Sequence, residues 1–124
     1  VLKMIYRALG SERMVIISDS MEATGLSDGC YTLGPNQVIV TDGIARTKDG
    51  AIAGSTYTLS MMVRNLLSIG ISMEEAVKMA SLTPARSVHI QERKGSIAPG
   101  KDADLVVVDE DFRIVHTFVR GALI

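Results

Sequence analysis

The chain has 124 residues, room for one domain and little more. A hydrophobic content of 47% is enough for a core and excludes a disordered tail; 13 basic against 14 acidic side chains leave no electrostatic footprint for nucleic acid or an anionic membrane surface. One cysteine, Cys30, excludes an intrachain disulfide and suits a reducing, cytoplasmic compartment, and no apolar run approaches the roughly 20 residues of a membrane span. Aromatic residues make up 4% with no Trp, so aliphatic side chains and seven Met must fill the core.

Residues 3 to 9 place Met4, Ile5, Ala8 and Leu9 at helical spacing, and Gly10-Ser11 ends the pattern as a helix C-terminus. The chain opens at Val1 as though a helix were already under way, which leads us to expect a fragment of a longer protein. Met14-Val-Ile-Ile17 is a short continuous apolar run, expected to be a parallel strand buried on both faces, with Ser18-Asp19-Ser20 at its C-terminal end. Residues 25 to 51 are broken by Gly25, Gly29, Gly34-Pro35-Asn36, Asp42-Gly43 and Asp49-Gly50 around β-prone runs at Gln37–Thr41 and Ile44–Thr47. Asp-Gly steps between such runs predict a small antiparallel excursion, either surface decoration or a lid.

Two helices are expected next. The first runs from about Ser55 to Ile69, with Leu59, Met62, Val63, Leu66 and Leu67 as one apolar stripe. The second starts at the capping box Ser72-Met-Glu-Glu75, buries Met73, Ala76, Val77 and Ala80, and is ended or kinked by Pro84. Strands are then expected in Leu105–Asp109, Phe112–Val119 and Ala122–Ile124. Strand, helices and then antiparallel strands read as α/β: the end of a (β/α)8 barrel followed by part of a second, all-β domain.

Asp19 is the first chemical candidate. A carboxylate at the C-terminal end of a barrel strand stands where barrel enzymes place catalytic groups, though a turn or helix-capping Asp fits the local residues as well. Ile52-Ala53-Gly54-Ser55 is the second: small residues before a helix let a ligand reach the backbone, while the alternative is that Ser55 or Thr56 is only a cap. His89 and His116 are 27 positions apart with no metal-binding spacing around either, and Cys30 has no partner that would activate it.

Several segments occur together in one order: Ile16-Ile-Ser-Asp-Ser20 with Gly25, Asp49-Gly-Ala-Ile-Ala-Gly-Ser55, Val63-Arg-Asn65, Met79-Ala-Ser-Leu-Thr-Pro-Ala85, and Lys94-Gly-Ser-Ile-Ala-Pro-Gly100 with Ala103-Asp-Leu-Val106. From about Val15 to Gly121 the chain resembles the C-terminal third of the N-acetylglucosamine-6-phosphate deacetylases, a family of the amidohydrolase superfamily. The last pattern is shared across many amidohydrolases; the Asp-Gly-x-x-Ala-Gly-Ser segment followed by Val-Arg-Asn is more particular to the deacetylases.

The resemblance implies a (β/α)8 barrel with a small β-sandwich built from both chain ends. Residues 1–93 would be the end of the barrel and residues 94–124 strands of the sandwich. It implies metal-dependent hydrolysis of N-acetylglucosamine 6-phosphate to glucosamine 6-phosphate and acetate, with a divalent ion, zinc as the expected one. Asp19 matches the family's catalytic proton carrier, and Ile52, Ala53 and Gly54 match its backbone contact to the sugar. The family's metal ligands match no position here, so catalysis is not expected of these 124 residues alone. The partners implied are an amino-sugar phosphate and further copies in a dimer or tetramer, with neither nucleic acid nor membrane. The competing readings are the galactosamine epimer or another cyclic-amide substrate, and a non-enzymatic assembly module in which Asp19 is only a cap.

Overall fold

A computed structural model describes residues 1–124, which divide into two compact units: Ile17–Met61, and Val1–Ile16 together with Met62–Ile124. Helices and strands are both present, so the α/β content expected from the sequence holds. The units follow contacts within these residues.

The unit Ile17–Met61 is built on an antiparallel sheet of β1 (Gly29–Leu33), β2 (Asn36–Thr41) and β3 (Ile44–Thr47), paired in that order. The β2–β3 turn is Asp42-Gly43, with φ of 51° and 70°. Two successive positive φ values give the type I′ hairpin that matches strand twist, which is why an Asp-Gly step marks it in the sequence. The Asp28 carboxylate accepts the N–H groups of Asp42 at 2.6 Å and Gly43 at 3.1 Å, satisfying the turn's donors. Alternation along the strands sends Val38, Val40 and Ala45 to one face, where Met21, Ala23 and Ala53 cover them. Val38 and Ala23 are fully buried.

The other unit begins with α1 (Leu2–Leu9), closed as expected by Gly10 at φ 69°, whose N–H reaches the Tyr6 carbonyl at 2.8 Å. Next come α2 (Leu59–Ser68, from Met62 on in this unit), α3 (Met73–Ala80) and α4 (Leu82–Ser87). The antiparallel sheet of β4 (Leu105–Val108), β5 (Ile114–Val119) and β6 (Ala122–Leu123) follows, with a bulge between Val107 and Val108. Its core is Val63, Leu66, Ile71, Ala76 and Met79, with Tyr6, Met14, Ile16, Leu67 and Phe112 packed against it.

Five expectations are corrected. Met14–Ile17 is not a strand buried on both faces: no strand of this chain pairs with it, and Val15 and Ile17 are 42% and 69% exposed. Only the Ile16 N–H is held, by the Met79 carbonyl at 3.0 Å. Helix α2 starts at Leu59 rather than Ser55, because the Ser55 backbone is bonded to residues 19 and 21. The α3 core face is Ala76, Met79 and Ala80, while Met73 and Val77 point outward. Ser72 caps that helix through the Glu75 N–H, but the Glu75 carboxylate faces the Ser11 hydroxyl at 3.5 Å instead of completing the box. Pro84 does not simply end α3: the chain turns at Ser81, and Pro84 sits in the first turn of α4, where its missing N–H is no loss.

Candidate active site

Asp19 and the Ile52–Ser55 segment lie apart in sequence, and the structure joins them within one unit. Ser20 and Ser55 form a parallel bridge. The Ser55 N–H donates to the Asp19 carbonyl at 2.8 Å, and the Met21 N–H donates to the Ser55 carbonyl at 3.0 Å. Two side chains reinforce the junction: the Thr24 hydroxyl donates to the Ser55 carbonyl at 3.0 Å, and the Ser20 hydroxyl to the Tyr57 carbonyl at 2.8 Å. On the other side, Ala53 is buried and donates its N–H to the Ala45 carbonyl at 3.0 Å, while Ile52 bridges Arg46 and stays exposed.

Gly54 explains why the two segments approach so closely. At φ 71°, a Cβ there would lie 3.2 Å from the Asp19 carbonyl oxygen and 3.5 Å from the Met21 Cβ. Asp19 itself has φ 51°, a left-handed conformation that Asp and Asn tolerate better than most side-chain-bearing residues. The carboxylate is exposed and belongs to none of the ion pairs of the chain. No helix follows Asp19, so it is not a helix cap. Ser55 and Thr56 do not cap a helix either: Thr58 does that for α2, accepting the Met61 N–H at 3.4 Å. The anion-binding helix terminus expected directly after Gly54 is therefore absent, and what stands there is the bridge at Ser55 followed by irregular backbone up to Leu59.

The sequence names Ser20 only as a neighbour of Asp19 and gives no part to Thr24 or Tyr57. Their signal was weak: a hydroxyl beside Asp19, and another five residues on, each bonded to backbone more than thirty positions away. His89, in left-handed backbone at φ 59° after α4, and His116 on β5 lie in the other unit; no group of three His, Cys, Asp or Glu comes together to hold a metal ion. The residues present thus do not supply a metal site. A cleft of about 920 Å³ opens in the first-and-last-residue unit, lined by Met73, Val77, Leu105, Val107 and Phe112. Of its charged lining residues, Lys94, Asp102 and Asp104 are committed to one another and Lys78 to Glu12, leaving Glu74, so it is mainly an uncovered apolar face.

The model of the Amidohydrolase family matches residues 15–124. The chain belongs to the amidohydrolase family. Among curated relatives of this family member, N-acetylglucosamine-6-phosphate deacetylase of Vibrio furnissii is 46% identical over 96% of this chain. N-acetylgalactosamine-6-phosphate deacetylase of Escherichia coli O157:H7 is 40% identical over 90% of it. The chain spans 30% of the length of each of these two relatives. Among solved structures, a mutant N-acetyl-D-glucosamine-6-phosphate deacetylase from Mycobacterium smegmatis, in complex with N-acetyl-D-glucosamine-6-phosphate, superposes with a TM-score of 0.90. It is 35% identical, and the match covers 98% of this chain and 33% of that one.

Proposed function

We propose that the whole protein hydrolyses the acetamide of N-acetylglucosamine 6-phosphate to glucosamine 6-phosphate and acetate. The observation that carries this reading is the junction of the Asp19 turn with Gly54-Ser55, in a chain whose relatives act on acetamido-sugar phosphates. In the proposed roles, the exposed Asp19 carboxylate takes a proton from the attacking water and returns one to the departing amine nitrogen. The backbone of Ile52, Ala53 and Gly54 contacts the sugar, where small residues let a ring come close.

The family fold, a (β/α)8 barrel with a β-sandwich, is part of the proposal, with residues 1–93 assigned to the barrel and 94–124 to the sandwich. So is a divalent ion, zinc as the favoured one, which would activate water at neutral pH. Its ligands would lie mostly outside these residues, among which no three His, Cys, Asp or Glu come together to hold an ion. A cytoplasmic homo-oligomer completes the reading. No helix is long and apolar enough to cross a membrane.

A second reading is deacetylation of the galactosamine epimer, favoured by the 40% identity to that enzyme. Acetate release from the two sugar phosphates, by the wild-type whole protein and its Asp19→Asn variant with zinc added, tests both. Wild type is expected to turn over the glucosamine substrate, and the variant to lose about a hundredfold or more in kcat. Equal activity of the two proteins would remove Asp19 from the reaction. Turnover of the galactosamine substrate alone would establish the second reading.

A further inference from the structure

We infer that Ser20 and Thr24 are positioning residues for Asp19: their hydroxyls tie the 19–24 segment to the backbone of Ser55 and Tyr57 and so set where the Asp19 carboxylate stands. The inference rests on the reading of Asp19 as proton carrier. Ser20 and Ser55 meet at one isolated bridge, not in a sheet, so few backbone bonds hold the junction beside Asp19. Asp19 is also in the left-handed region, which a side-chain-bearing residue keeps only if its surroundings enforce it. The surroundings that do so are few. Gly54 permits the close approach, the Ser55 N–H holds the Asp19 carbonyl, and the Ser55 carbonyl takes the Met21 N–H and the Thr24 O–H together.

Thr24 is half-buried, and its only side-chain hydrogen bond is this long-range one to Ser55. Ser20 adds a second tie one residue beyond Asp19, 2.8 Å from the Tyr57 carbonyl. Removing both leaves the turn on its backbone bonds alone. A carboxylate that moves protons in a transition state is sensitive to small displacements, whereas substrate binding through other groups is not. The loss should therefore fall on kcat.

The test uses the whole protein as wild type, Ser20→Ala/Thr24→Val, and Ser20→Ala/Thr24→Ser, with N-acetylglucosamine 6-phosphate as substrate and hydrogen exchange read at the Ser55 amide. Thr24→Val is nearly isosteric, and Thr24→Ser restores the donor. For the Val pair, exchange at Ser55 is expected to accelerate about tenfold and kcat to fall about tenfold, with KM within about twofold. Ser20→Ala/Thr24→Ser should recover the share of both losses that the Thr24 hydroxyl carries and leave the share due to Ser20. On an Asp19→Asn background the Val pair should change the residual rate by less than about twofold, because nothing is left to position.

Unchanged exchange at Ser55 in the Val pair would overturn the inference, since the hydroxyls would then not hold the junction. Faster exchange with unchanged kcat in an active wild type would overturn the positioning role while leaving the proposed function standing. A loss that appears equally on the Asp19→Asn background would mean a general structural defect and overturn it too. A wild type inactive on both sugar phosphates would instead remove the function on which the inference rests.

Discussion

Two glycines carry different weights, and the difference is geometric. At Gly95 the backbone has φ 87°, and a Cβ would lie 2.8 Å from the Ala85 Cβ and 2.9 Å from both the Leu82 Cα and the Ser81 carbonyl oxygen. Those atoms belong to the start of α4 and cannot rotate away. Gly54 would bring its Cβ to 3.2 Å from a carbonyl oxygen, a contact that a shift of a few tenths of an ångström relieves. Gly95→Ala is therefore expected to cost about 3 kcal/mol or more, from left-handed strain plus overpacking. Gly54→Ala is expected to cost about 1–2 kcal/mol, mostly from its φ. Urea unfolding followed by far-UV circular dichroism ranks them, and equal midpoints would contradict the packing at Gly95. Gly54 appeared in the sequence among small residues before a helix. Its actual reason is the Asp19 carbonyl, 35 positions away, which no local pattern reveals.

At the scale of elements, local chemistry was readable and pairing between distant segments was not. The Asp42-Gly43 hairpin, the Gly10 stop and the Ser72 cap depend on neighbours within four residues, and each stands where the sequence places it. Met14–Ile17 has strand composition, but a strand also needs a partner, and none pairs with it here. Helix α2 starts later than the expected Ser55 for a related reason: the Ser20 and Thr24 hydroxyls bond the Tyr57 and Ser55 carbonyls ahead of it. Met79 fell outside the expected stripe yet is completely buried, so the true core face is rotated toward it. Met79→Ala is accordingly expected to destabilise by about 2–5 kcal/mol. Val77→Ala, on the exposed side of α3, should cost under about 1 kcal/mol. The same unfolding assay distinguishes the faces.

The segment from Gln91 to Asp104 is a charged strap, and it makes stability depend on pH. Lys94 pairs with Asp104 and with Asp102 at 2.9 Å, Arg93 pairs with Asp102 at 3.0 Å, and Asp104 accepts the Arg120 N–H at 2.8 Å on the turn after β5. The hydrogen bond from Lys94 holds both carboxyls below their ordinary range, and the bond to Asp104 raises Lys94 above its own. A lowered carboxyl contributes stability above its unfolded pKa and loses it as pH falls through the folded one. A raised lysine contributes below its unfolded pKa and loses it as pH rises through the folded one. The contribution is therefore full between about pH 5 and 9 and declines at both extremes. Because these groups are partly solvated the effect is small and should weaken in high salt. In Lys94→Met the chain should lose part of its acid-limb slope; an acid limb identical to wild type would mean that the strap contributes nothing.

For the molecule as a whole, the decisive question is whether the residues that do proton chemistry and the residues that hold a metal are the same set. Here they are not. A zinc site that supports hydrolysis needs about three protein ligands converging within bonding distance. No three His, Cys, Asp or Glu of this chain come together to hold an ion; Asp28 is bound to the Asp42-Gly43 turn, and Asp102 and Asp104 face Lys94. Metal affinity in such sites comes from simultaneous ligation, so separate donors do not add up to a site. The 124 residues on their own are thus expected to take up no zinc stoichiometrically in calorimetry at micromolar protein, and to release no acetate from either sugar phosphate. Under the proposed function, the whole protein should take up zinc and release acetate from N-acetylglucosamine 6-phosphate. One equivalent of tightly bound zinc on the 124-residue chain would show that its donors converge in solution as they do not here, and would move the metal centre into this part of the sequence.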